Sequence, residues 1–202
     1  MNTLELMNER HTKRDFARLK AVLACASKDA TRHAITKVLV ERDEDGITVT
    51  GTDGRRLRRD RFQMEAEPGI YDIKVCTGRV VVLEECTERL TFPDYRQVLP
   101  RDGEDDAYAL EGIGKRFVLW ATAGLCCWVD PALVELGDDE AVTLHLQKDD
   151  PGLGPVLARN ADTTFVVMPM RLDNPWIAEL EAIRFERTRR AIEELEPAAV
   201  AA

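Results

Sequence analysis

Phe16, Leu19, Val22, Leu23 and Ala26 recur at intervals of three and four residues, a spacing that predicts an amphipathic helix over 14–27. Beyond it, apolar and polar positions mostly alternate, as they do in half-buried strands. The first strand is expected over 35–41. Asp43-Glu44-Asp45-Gly46 follows as a hairpin turn, because Asp-Gly readily supplies the positive φ that tight hairpins need. The chain then returns over 47–52, turns again at Asp53-Gly54 and runs over 55–62. Two more strands, 70–75 and 80–84, come after Pro68-Gly69. Phe92 to Pro100, with prolines near both ends, reads as an extended connector, and 101–106 as an acidic loop. Further strands are expected over 107–111, 116–121, 125–129, 142–147, 156–159 and 163–168. Asp130-Pro131 suits the start of a short helix over 131–136. Trp176, Leu180, Ile183, Ile192 and Leu195 lie among charged helix formers and predict a C-terminal amphipathic helix over 175–196. The pattern is that of an α+β protein. A leader, 1–13, precedes one domain, 14–173, made of two halves (14–100 and 101–173); a helix and tail, 174–202, follow.

Composition narrows the class. With 45% hydrophobic and 32% charged residues the chain is that of a globular protein. It has no apolar run of the roughly 18 residues a membrane span needs, and no long apolar segment near Met1. A cytoplasmic location without a membrane partner is expected. The five cysteines form no CxxC pair and the three histidines are scattered, so neither a metal site nor a cofactor is expected. The chain offers no Ser/His/Asp or Cys/His order and no glycine-rich phosphate loop, which points away from an enzyme.

Charge is unevenly placed. The net charge is −9, yet residues 1–64 hold 14 of the 28 Lys and Arg residues and only 10 of the 37 Asp and Glu residues. Arg14, Arg18, Lys20 and Lys28 flank the apolar stripe of the first helix, where a cationic face can meet DNA phosphates. Five arginines fall within the seven residues from Arg55 to Arg61, and Arg favours bidentate contact with phosphate or carboxylate.

The stretch Thr163 to Leu172 is unusual. It opens as a β-branched and aromatic strand, then meets Pro169, which cannot donate to a ladder and so bars a central-strand continuation. Met168 and Met170 flank the proline. Methionine is unbranched and polarizable and adapts to different neighbours. Such a segment either fills core gaps or lines a groove for a peptide.

Three fragments resemble one family in the same order. Residues 52–57, Thr-Asp-Gly-Arg-Arg-Leu, resemble the Thr-Asp-Gly-His-Arg-Leu signature of the bacterial replicative sliding clamp, the beta subunit of DNA polymerase III. Residues 92–100, Phe-Pro-Asp-Tyr-Arg-Gln-Val-Leu-Pro, are similar to that family's connector between its middle and last domains. Residues 166–172, Val-Val-Met-Pro-Met-Arg-Leu, are similar to its C-terminal end. The resemblance implies a clamp-type domain of two helix-plus-sheet halves, with two sheets and one or two helices. A full clamp chain has three such domains; this chain resembles the first half of the middle one joined to the last half of the final one, with a C-terminal helix added.

In that family the three segments line a pocket for short clamp-binding peptides. Carried over, the first wall is Thr52, Gly54, Arg55, Arg56 and Leu57, with Arg32 and Ile35 at the spacing of two further positions. The connector contributes Pro93 and Val98. The last wall is Val166, Val167, Met168, Pro169, Met170, Arg171 and Leu172. The implied function is that of a non-catalytic processivity factor in DNA replication or repair. Its partners would be DNA polymerase, clamp loader or repair proteins carrying clamp-binding motifs, with non-specific double-stranded DNA and a homo-oligomeric ring. The alternative is an adaptor or decoy that keeps the pocket and does not encircle DNA.

Overall fold

The computed structural model describes residues 2–7, 12–99, 107–124, 127–147 and 154–170. The first element is already a departure. Thr3–Met7 is not part of a leader but a strand, β1, which pairs antiparallel with Val80–Glu85 and buries Leu4 and Leu6. The alternation of Leu4 and Leu6 with Thr3 and Glu5 carried that signal. Helix α1 follows over Lys13–Cys25, as its spacing predicts, with Phe16, Leu19, Val22 and Leu23 buried. Thr12 caps it by accepting the Asp15 N–H at 3.1 Å.

The predicted strand over 35–41 starts late. His33–Thr36 forms a turn of 3-10 helix that buries Ile35, and β2 runs over Val38–Asp43. Strands β3 (Gly46–Thr52), β4 (Arg56–Phe62), β5 (Gly69–Cys76) and β6 (Val80–Glu85) lie close to expectation. The connector is extended apart from one 3-10 turn over Tyr95–Val98.

The second half differs more. After β7, Ala107–Ile113, the expected strand over 116–121 is helix α2, Gly114–Gly124. A short apolar run such as Phe117-Val118-Leu119-Trp120 suits either element. Here the buried residues Val118, Ala121 and Thr122 follow helical spacing, and the helix packs on β7 and β8. Cys127 to Val129 are not a strand either; Cys127 and Val129 are buried in the α2 core. The predicted helix over 131–136 shrinks to one 3-10 turn, Pro131–Leu133, with Asp130 capping it as expected. Strands β8 (Ala141–Gln147), β9 (Val156–Arg159) and β10 (Thr163–Val167) complete the fold. The C-terminal helix and the acidic loop lie outside the described residues.

The ten described strands form one antiparallel sheet, not two, in the order β1-β6-β5-β2-β3-β4-β10-β9-β8-β7. The halves meet where β10 pairs with β4, placing Val166 opposite Leu57. Both helices cover the same face. Val22, Leu23 and Phe16 of α1 pack on Val40, Val49 and Phe62, while α2 packs on Val156, Phe165 and Val167. The other face is covered near its centre by the connector, whose Phe92 and Tyr95 seal Leu57, Leu157 and Val166. Tyr95 Oη donates to Glu41 at 2.6 Å and pins the connector to β2. Among the described residues no helix is long and apolar enough to cross a membrane.

Close approach of α1 to the sheet depends on Gly51, where an added Cβ would overlap the Val22 carbonyl oxygen. Gly51→Ala must push the helix off β3. It is predicted to lower stability by about 1–3 kcal/mol in urea unfolding, the range for overpacked cores.

Candidate peptide-binding site

The site follows from alternation along β4 and β10. Successive side chains point to opposite faces, so Leu57 and Val166 lie on the connector face while Arg56 and Val167 lie on the helix face. One step beyond the last paired residues, the Met168 N–H donates to the Arg55 carbonyl at 2.8 Å. Arg55 and Met168 therefore form the next rung on the connector face. Leu57 and Val166 are buried, whereas Met168 is 37% exposed and Arg55 is exposed. The apolar strip thus runs out from beneath the connector and opens to solvent at Arg55 and Met168.

Neighbouring segments frame this opening. Gly54, at φ +86°, lets the β3–β4 turn close, and it leaves room for the Arg32 guanidinium; a Cβ there would sit 2.8 Å from Arg32 Nη2. Arg32 Nη1 donates to the Asp53 carbonyl at 2.7 Å. Thr52 Oγ1 donates to the Arg56 carbonyl and accepts the Gly54 N–H, so its hydroxyl is spent on the turn. Ile35 is buried, with its N–H bonded to the Arg32 carbonyl. Pro93 and Val98 are exposed on the connector. Pro169 is partly buried, and Met170 is 42% exposed, its N–H bonded to the Trp128 carbonyl at 2.6 Å. Trp128 had no sequence signal beyond being aromatic. Arg171 and Leu172 lie outside the described residues.

Two expected wall residues face away from this opening. Val167 is fully buried in the α2 core. Arg56 reaches under the sheet: Nη2 donates to the Ala24 carbonyl at 2.7 Å, Nη1 to Glu135 at 3.0 Å, and Nε to Asp53 at 3.1 Å. It ties the end of α1 to the second half of the chain. Both misplacements follow from the period of two, which short motifs do not respect.

The arginine-rich strand is structural as well. Arg58 is buried and forks onto Asp60 (2.8 Å) and Glu140 (2.6 Å). Arg61 pairs with Asp43 at 2.6 Å. Arg18, expected on the cationic face of α1, is instead buried. Its Nη2 donates to the Arg61 and Asp162 carbonyls at 2.8 and 3.0 Å, and its guanidinium lies over the Phe62 ring. Burial would have been costly without these partners. Arg14 and Lys28 remain exposed and Lys20 is partly so, but Arg14 lies 3.8 Å from Asp162. A cleft of about 1280 Å³ beside α1 brings Lys13, Arg14 and Lys20 together with Glu135, Asp139 and Asp162. This face of α1 is mixed in charge.

Cys25, the last residue of α1, is buried, its thiol pushed up to about 12 by burial. Among the described residues no group of three His, Cys, Asp or Glu side chains could hold a metal ion.

No family model matches the chain, and no curated protein sequence matches it. Solved structures do. The chain is similar to the DNA polymerase III beta subunit of Thermotoga maritima, at 15% identity and a TM-score of 0.49, over 85% of this chain and 66% of that one. It is similar to a DNA polymerase sliding clamp from Pseudomonas aeruginosa, at 16% identity and a TM-score of 0.49, over 85% and 67%. A DnaN sliding clamp from Pseudomonas aeruginosa bound to griselimycin matches at 16% identity and 0.49, over 84% and 65%. The chain spans about two thirds of the length of these proteins.

The Arg58 network gives a pH prediction. Burial alone would raise the Glu140 pKa, but hydrogen bonds and charge from Arg58 outweigh it and hold the carboxyl below its ordinary value. A carboxylate depressed in the folded state adds stability above its unfolded pKa and loses it as pH falls through the folded one. Glu140→Gln is predicted to cost about 3 kcal/mol at pH 7, the scale of breaking a buried pair. The gap from wild type, followed by urea unfolding, should shrink below about pH 4.

Proposed function

We propose that this protein is a clamp-like, non-catalytic binder of short peptides whose apolar anchors enter beside Arg55 and Met168. One observation carries the reading: the sealed apolar strip of Leu57 and Val166 opens to solvent at Met168. Met168 and Met170 are two of the six large apolar side chains exposed among the described residues, and both lie just past β10, where the chain leaves the ladder. Exposed apolar groups beside polar ones mark interaction sites. Two methionines suit a surface that repacks around several partners.

The resemblance of residues 52–57, 92–100 and 166–172 to the sliding clamp supplies the class of partner. These are polymerase, clamp-loader or repair proteins carrying clamp-binding motifs. A processivity role on double-stranded DNA requires several copies of this chain in a closed ring, since one such domain cannot surround a duplex. The mixed charge beside α1 and the burial of Arg18 favour a second reading, an adaptor that keeps the pocket without holding DNA.

Titration with a clamp-binding peptide tests the pocket. Met170→Ala should weaken binding about tenfold, as expected for truncating an apolar contact residue. No binding to wild type, or equal affinities, contradicts the reading. Mass in solution with and without circular DNA separates the two settings. A multimer with salt-sensitive DNA binding supports the ring; a strict monomer indifferent to DNA leaves the adaptor.

A further inference from the structure

We infer that residues 175–186 of this chain dock as a helix on the exposed side of α2. Trp120 and Ile113 are the two most exposed of the large apolar side chains among the described residues, at 75% and 61%. They belong to one stripe. Ile113, at the end of β7, is followed at helical spacing by exposed Arg116 and Trp120, with Phe117, Ala123 and Gly124 half-buried beside them. The stripe lies at one end of the sheet, because α2 packs on β7 and β8 and β7 is an edge strand. Covering an aromatic ring takes about 150–250 Å² out of water, so a partner for Trp120 gains substantially.

The chain delivers that partner itself. The Met170 N–H bonds to the Trp128 carbonyl, and Trp128 follows closely on Gly124, the last residue of α2. The C-terminal segment therefore sets out from the C-terminal end of α2. The stretch from Met170 to Trp176 spans up to about 20 Å when extended, and α2 is about 16 Å long. Asn174 and Pro175 suit the cap and first position of a helix. Such a helix can run back along α2 in the antiparallel sense. Trp176, Leu180 and Ile183 share one of its faces and cover the same seven-residue span as Trp120 and Ile113. Glu179 and Glu181 flank that face and come level with Lys115 and Arg116. Residues 172–183 hold three acids and no Lys or Arg, which complements the two cations of α2. A tethered segment also acts at an effective concentration of about millimolar, which favours it over a second copy for this site.

Hydrogen exchange of the full chain, read by mass spectrometry, tests this. An isolated helix this short is marginal in water, so protection of residues 175–186 reports docking. Wild type should show that protection. Trp120→Ser and Trp176→Ser should each speed exchange over 175–186 about tenfold, the scale of losing one buried apolar contact. Arg116→Glu should speed it less, and adding Glu179→Arg and Glu181→Arg should restore part of the protection. Val75→Ser, which removes an exposed apolar side chain on β5, should leave it unchanged. Unprotected exchange over 175–186 in wild type overturns the inference, as does protection that Trp120→Ser leaves intact. Protection that disappears on dilution gives the face of α2 to a second copy and overturns it too.

Discussion

A buried cation sets the terms of this fold. Arg58 sits on the helix face of β4, closed off from water, and a charge there is tolerable only if paired and fully hydrogen-bonded. Its partners come from two places. Asp60 is two residues along the same strand, and Glu140 belongs to the far half of the chain. Burial pulls the Arg58 pKa down, but these two carboxylates more than reverse it. The requirement to satisfy Arg58 fixes where residues 135–140 lie, and therefore how the second half meets the first. Arg56, one rung away, adds the end of α1 and the 131–135 segment to the same junction.

What lies on the opposite face of that junction is the candidate site. Because Arg56 and Arg58 occupy the helix side, Leu57 must occupy the other, where Val166 faces it from β10. The connector then covers that pair through Phe92 and Tyr95 and stops short of the next rung. The opening at Arg55 and Met168 is thus a by-product of strand alternation plus the departure of the chain from the ladder at Pro169. Proline has no N–H to give and ends the pairing where exposed methionines begin.

The sequence disclosed much of this and hid a definable remainder. The apolar stripe of α1, the β2–β3–β4 turns and β10 follow from periodicity and Asp-Gly chemistry. Three errors share a cause. Phe117 to Trp120 looked like a strand, Arg18 looked like a surface cation, and Arg56 looked like a pocket wall. In each case tertiary surroundings decided: packing on β7 and β8 for α2, the carbonyls of Arg61 and Asp162 for Arg18, the end of α1 for Arg56. Local pattern cannot report a partner more than a hundred residues away, such as Asp162 for Arg18. The short strand β1 was missed because five residues with two apolar positions give little signal, although they close one edge of the sheet. For the candidate site, motif spacing singled out three segments, and strand alternation separates their side chains on the connector face from those on the helix face.

The most direct test of the central claim follows the methionine methyl groups by NMR while a clamp-binding peptide is added. The chain has five methionines, at positions 1, 7, 64, 168 and 170. The account predicts that the Met168 and Met170 signals move in a saturable manner and that the Met64 signal, packed against the α1 core, stays in place. Saturable binding with Met168 and Met170 unmoved would contradict it.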